Sequence, residues 1–132
     1  MPDFVHRLTV RFRDCDSMGH VNHAVYFTYM EQCRFALWRH LGGGSGLPGA
    51  GTIIVRAECD YRAPALAHDE LAIRIRLGDM GRSSFSFLYE IDNAATGRRI
   101  ADGKTINVTF DYAVGLTIPI PATTRALLEQ TR

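Results

Sequence analysis

The chain has 132 residues, 46% hydrophobic and 22% charged, which is the size and composition of one ordinary globular domain rather than of a disordered chain. Fifteen Lys and Arg against 14 Asp and Glu leave a formal charge of +1, and no basic run exceeds Arg98-Arg99, which argues against nucleic-acid binding. The longest uncharged run, Leu41 to Val55, holds six glycines and a proline, and His6, Arg7, Arg11 and Arg13 interrupt the opening residues, so neither a membrane-spanning helix nor a signal peptide is expected.

Residues Phe4 to Phe12 alternate partly and are rich in β formers, predicting a first strand that ends near the charged Arg13-Asp14-Cys15-Asp16. A loop follows through Gly19. From Asn22, a good N-cap type, the residues Tyr26, Tyr29, Met30, Cys33, Leu37 and Leu41 recur every three or four positions, the stripe of an amphipathic helix ending at Gly42. Phe27, Phe35 and Trp38 lie off that stripe, so the helix must be wrapped by its neighbours; with Tyr29 these aromatics are expected mostly in the core, some lining a pocket. Glu31 and Arg34, three residues apart, predict a helix-surface ion pair. Gly42 to Gly51 reads as a flexible loop, and its Ser45 as a linker serine, since Gly43-Gly44-Ser45-Gly46 fits neither a nucleophile elbow nor a phosphate loop.

The period then changes to two. Val55, Ala57, Cys59 and Tyr61 form one apolar alternation, Leu71, Ile73, Ile75 and Leu77 a second, and Phe85, Phe87, Tyr89 and Ile91 a third, each predicting a strand with one dry face. The short turns Gly78-Asp79-Met80-Gly81 and Asn93-Ala94-Ala95-Thr96-Gly97 make consecutive strands antiparallel. A last long strand spans Arg99 to Asp111, and after Pro119 and Pro121 a short helix covers Ala122 to Gln130. The expectation is an α+β fold, a curved antiparallel sheet enclosing one long central helix, as a single domain over residues 1–132. Cys15, Cys33 and Cys59 are odd in number and lack C-x-x-C spacing, so neither a disulfide framework nor a cysteine zinc site is expected, and a reducing cytoplasm is the natural compartment.

Asp14 and Asp16 stand just ahead of the helix, whose N-terminus carries unpaired N–H groups and about half a positive charge. A carboxylate placed there can attack a carbonyl or activate water while the helix N–H groups polarise the carbonyl oxygen; removing one such donor typically costs roughly 10²- to 10³-fold in rate. Carboxylates are weak nucleophiles toward amides and adequate toward thioesters. The same two aspartates also suit turn capping or pairing with Arg11 and Arg13. His20 and His23 form an H-x-x-H pair, but Gly19 argues against a helix beginning early enough to align them and no further ligand pattern supports them, so no metal is expected.

Asp14-Cys15-Asp16, Gly19-His20-Val21-Asn22, Tyr26, Tyr29, Glu31 and Arg34 together resemble the D-x-D-x-x-G-H-V-N-x-x-x-Y-x-x-Y-x-E-x-x-R signature of hotdog-fold acyl-CoA thioesterases of the 4-hydroxybenzoyl-CoA thioesterase type. The similarity continues through Asp60-Tyr61-Arg62-Ala63-Pro64, Gly81-Arg82-Ser83-Ser84-Phe85 and the final strand. The resemblance implies hydrolysis of an acyl-CoA thioester, with Asp16 as the catalytic carboxylate and a backbone N–H at or near His23 holding the thioester carbonyl. It leaves His20 to position water or substrate, or to pack the loop, and Glu31 to a structural role. It places the coenzyme A moiety near Arg82, with Ser83 and Ser84 assisting and Arg62 a weaker candidate. Coenzyme A is then part of the substrate and no separate cofactor is implied; the assembly implied is a homodimer or homotetramer with sites at subunit interfaces. Two alternatives stay open, a hotdog hydratase or dehydratase in which His20 carries a proton, and a non-catalytic acyl-CoA binding module.

Overall fold

The computed structural model describes residues 3–44 and 46–132; Ser45 lies outside the described residues. Strands β1 (Phe4–Thr9), β2 (Gly51–Tyr61), β3 (Glu70–Met80), β4 (Ser84–Asn93), β5 (Arg99–Asp111) and β6 (Leu116–Thr117) accompany helices α1 (Val25–His40) and α2 (Ala122–Glu129). The sheet runs β1-β3-β4-β5-β2, with β6 beside β5, and every pairing is antiparallel. This is the α+β hotdog arrangement, a sheet wrapped around α1. Among the described residues no helix is long and apolar enough to cross a membrane.

Alternation decides which side of the central strands is dry. Leu71, Ile73, Ile75 and Leu77 of β3, and Phe85, Phe87, Tyr89 and Ile91 of β4, are all at most 4% exposed, each such burial stabilising by about 1.5–3 kcal/mol. The helix supplies the other half of the core through Tyr26, Tyr29, Met30, Cys33, Leu37 and Trp38, and Trp38 lies 5.6 Å from Phe87, ring centroid to centroid. Gly103 of β5 lets α1 approach closely, because a Cβ there would collide with the end of the Met30 side chain.

Several expectations are corrected. The first strand stops at Thr9 rather than Phe12, because Phe12–Asp14 close into a 3-10 turn in which the Arg11 N–H donates to Asp14 Oδ2 at 3.0 Å. The helix begins at Val25, not directly after Asn22: Asn22 Oδ1 accepts the Ala24 N–H at 2.9 Å and the Asn22 carbonyl accepts that of Val25, so Asn22 builds a turn ahead of the helix. Gly42 does end α1, at φ +91, a conformation glycine adopts without strain. Strand β2 begins at Gly51, and its expected dry face is open: Val55 is 56% and Tyr61 47% exposed, because β2 is a sheet edge and bulges between Ile54 and Arg56. Phe35 is exposed and Phe27 only half-buried. Glu31 and Arg34 form no ion pair; Arg34 turns inward instead and donates to Tyr89 Oη at 3.1 Å.

Candidate active site

Residues Asp14 to Asn22 fold back on themselves as a miniature hairpin. The Asn22 N–H donates to the Asp14 carbonyl at 2.9 Å, Cys15 bridges Val21, and the Asp16 N–H donates to the His20 carbonyl at 2.8 Å. Ser17-Met18-Gly19 turn the chain, with Gly19 at φ +82. The two aspartates therefore sit at opposite ends of one ladder. Asp14, at the base, is 3% exposed and accepts from the Arg11 backbone and guanidinium and, at 2.8 Å, from Tyr29 Oη. Burial pushes the Asp14 pKa up, but the bonds from the Arg11 side chain, the Arg11 N–H and the Tyr29 hydroxyl outweigh it, and the net shift is downward. Tyr29 moves the opposite way, raised by burial first and by the Asp14 carboxylate second. Asp14 is thus the structural member of the pair.

Asp16, at the tip, is exposed. Its Oδ1 accepts the Met18 N–H at 2.9 Å, and among the described residues no Arg or Lys pairs with it. Opposite Asp16 in the ladder, His20 leads into a cleft of about 310 Å³ whose walls include His23, Tyr26, Tyr61, Arg62 and Pro64. Asp16 borders this cleft through His20 and does not line it.

Among the N–H groups from Val21 to Val25 the hydrogen bonds leave one donor open, and in the first turn of α1 the Tyr26 N–H likewise has no acceptor among the described residues. The N–H of Val21 goes to the Ala65 carbonyl, that of Asn22 to Asp14, that of Ala24 to Asn22 Oδ1 and that of Val25 to the Asn22 carbonyl. Only the His23 N–H in this run has no acceptor among the described residues. An unengaged N–H at the positive end of a 16-residue helix is a donor for an anionic oxygen. A larger cavity, about 390 Å³, lies at the other end of α1 against Leu37, His40 and Leu41, where the helix presents carbonyls and the polarity is wrong for that purpose.

The residues expected to meet coenzyme A fall in two places. Arg62 joins the cleft, its guanidinium bonded to Asp102 at 2.9 Å. Arg82, Ser83 and Ser84 occupy the tight turn into β4, where the Gly81 N–H donates to the Ser84 carbonyl. Tyr61 pairs with Ala101 on β5 and Ser84 with Val108, a separation of roughly 20 Å at about 3.3 Å per residue, so one chain does not bring these groups together. His20 and His23 share the cleft, yet no cluster of three or more potential metal ligands occurs among the described residues. Sequence reasoning passed over Tyr61 as a functional side chain: its hydroxyl donates to the His23 carbonyl at 2.8 Å across 38 positions of sequence, and only its place in the Asp60-Tyr61-Arg62-Ala63-Pro64 segment hinted at it.

A model of the thioesterase-like superfamily matches residues 10–128. The chain belongs to that family. Among solved structures, this thioesterase-like chain is similar to a thioesterase complexed with coenzyme A and zinc from Thermus thermophilus, with 31% identity, TM-score 0.85, and 96% of this chain and 92% of that one covered. It is also similar to BH1999, a gentisyl-coenzyme A thioesterase, with 26% identity, TM-score 0.84, and 95% and 99% covered. A 1,4-dihydroxy-2-naphthoyl-CoA hydrolase of Acaryochloris marina is 28% identical over 106 residues, 74% of each chain. The chain spans 61%, 70% and 74% of the lengths of the curated relatives it matches. The family and these named thioesterases support acyl-CoA thioester hydrolysis as the class of activity.

Proposed function

We propose that this chain, as one domain over residues 1–132, hydrolyses an acyl-CoA thioester to a free acid and coenzyme A. The unengaged His23 N–H at the start of α1 carries this reading. A thioester carbonyl held there has its oxygen at the positive helix end, where charge develops as the tetrahedral intermediate forms. The Asp16 carboxylate either attacks the carbonyl carbon, expelling the coenzyme A thiolate and leaving a mixed anhydride that water hydrolyses to the free acid, or takes a proton from a water that attacks the carbon, after which the tetrahedral intermediate expels the thiolate. His20, opposite Asp16, orients water or substrate.

The open edge of β2, with Ile54 and Val55 exposed, supports a homodimer or homotetramer. Arg82, Ser83 and Ser84, far from the cleft of their own chain, then receive the coenzyme A phosphates for the site of another subunit. The substrate brings coenzyme A with it, and the chemistry calls for no metal. Three free thiols, Cys15, Cys33 and Cys59, suit a reducing cytoplasm.

The test is Asp16→Asn, assayed by thiol release over a panel of acyl-CoA esters. The expected loss is roughly 10²- to 10⁴-fold in kcat with the oligomer intact; an undiminished rate rejects the assigned carboxylate. Hydration of an enoyl-CoA without thiol release would point instead to a hydratase, and tight ligand retention without product to a binding module.

A further inference from the structure

The helix start owes its shape to a residue 38 positions away. Tyr61 closes β2, pairs in register with Ala101, and sends its hydroxyl to the His23 carbonyl at 2.8 Å. Its ring packs edge-on against Tyr26, centroids 5.2 Å apart, and Tyr26 is itself 3% exposed. His23 precedes α1, and no helical N–H is given to its carbonyl: the Phe27 N–H goes to Ala24 and that of Val25 to Asn22. Tyr61 therefore supplies the one hydrogen bond that this carbonyl accepts among the described residues. On the other side of the same residue, Asn22 is fixed by three bonds, from its N–H to Asp14 and into its carbonyl and side chain from Val25 and Ala24. The peptide ahead of His23 is held by the Val25 N–H on the Asn22 carbonyl, and the peptide behind it by the Tyr61 hydroxyl on the His23 carbonyl together with the Ala24 N–H on Asn22 Oδ1, so the direction of the His23 N–H is set from both ends.

We propose that Tyr61 is a positioning residue for thioester hydrolysis: by holding the His23 carbonyl it aims the His23 N–H at the substrate oxygen. This rests on the functional reading above. A donor contributes in proportion to how well it is aimed before reaction, and a displacement of about 1 Å in such a group costs on the order of 10²-fold. The hydroxyl touches no reacting atom and acts through the backbone.

A matched control stands at the other end of the same strand, where Tyr112 Oη donates to the Thr52 carbonyl at 2.6 Å and so makes the same kind of bond far from the cleft. Tyr61→Phe and Tyr112→Phe are compared with the wild type in thiol release, in Tm and in the backbone amide resonances of His23 and Ala24. For Tyr61→Phe the expected result is a fall of about 10- to 100-fold in kcat with KM for acyl-CoA changed by less than about twofold, together with displaced His23 and Ala24 amide signals. Tyr112→Phe should match its Tm and leave kcat and those signals in place. Unchanged kcat in Tyr61→Phe overturns the proposal while leaving the thioesterase reading standing, as does an equal kcat loss in both variants. A kcat loss accompanied by a collapse of Tm that Tyr112→Phe lacks overturns it in favour of a scaffold role. A wild type that releases no thiol from any ester sinks the functional reading, and this inference with it.

Discussion

The base and the tip of the hairpin that precedes α1 carry the same side chain in opposite circumstances. Asp14 is buried and satisfied by Arg11 and Tyr29; two residues on, Asp16 is exposed, takes one backbone N–H on one oxygen, and has no cationic partner among the described residues. A carboxylate whose lone pairs are already filled holds structure together and cannot also attack. One left underfilled at the hairpin tip is available for chemistry. The hairpin separates the anchored carboxylate from the exposed one over a single bridging pair, Cys15 and Val21.

The contrast predicts that Asp16→Asn removes activity and leaves stability nearly intact, whereas Asp14→Asn does the reverse in its primary effect. The activity loss in the first is the largest effect expected, and chemical denaturation of the same variant should show an unchanged midpoint. Asp14→Asn should cost about 1.5–3 kcal/mol, the usual worth of buried hydrogen bonds to a charged group, measured as a shift in urea midpoint. An Asp14→Asn protein as stable as the wild type would dissolve the distinction. Tyr29→Phe removes only one of the bonds to Asp14 and should cost less, about 1 kcal/mol by the same measurement.

Acid should reveal the same anchor more faintly. The Asp14 pKa in the fold lies below its unfolded value near about 4, so its stabilisation is complete above that value and is lost as pH falls through the folded one. The wild type should therefore lose stability below about pH 4 more steeply than Asp14→Asn, which a denaturation series across that range would show. Parallel curves would mean that the hydrogen bonds do not favour the charged form.

Strands β3 and β4 were legible in the sequence because both neighbours and the helix enforce a dry face, kept by Leu71, Ile73, Ile75 and Leu77 and by Phe85, Phe87, Tyr89 and Ile91, although Ser86 on the other face of β4 is buried as well. Strand β2 was legible as a strand but not in its burial, since an edge strand obeys the same pattern while meeting nothing on one side. That β1 pairs with β3 and not β2 is a long-range choice with no local signature. At the site, Asp16 and the helix start could be read because they lie within one short segment. Which of the two aspartates is anchored could not, because it depends on Tyr29 reaching back fifteen positions with its hydroxyl. The inward turn of Arg34 to Tyr89 likewise defeats a spacing rule that sees only the helix.

The segment from Asp16 to His23 is eight residues long and holds both the carboxylate and the amide assigned to the reaction. Much of what surrounds them, including Tyr61, Arg62 and Pro64, arrives from elsewhere in the chain. Under the proposed function, a change at a distant contributor such as Pro64 can reshape the wall of the cleft without touching the eight residues that hold Asp16 and His23.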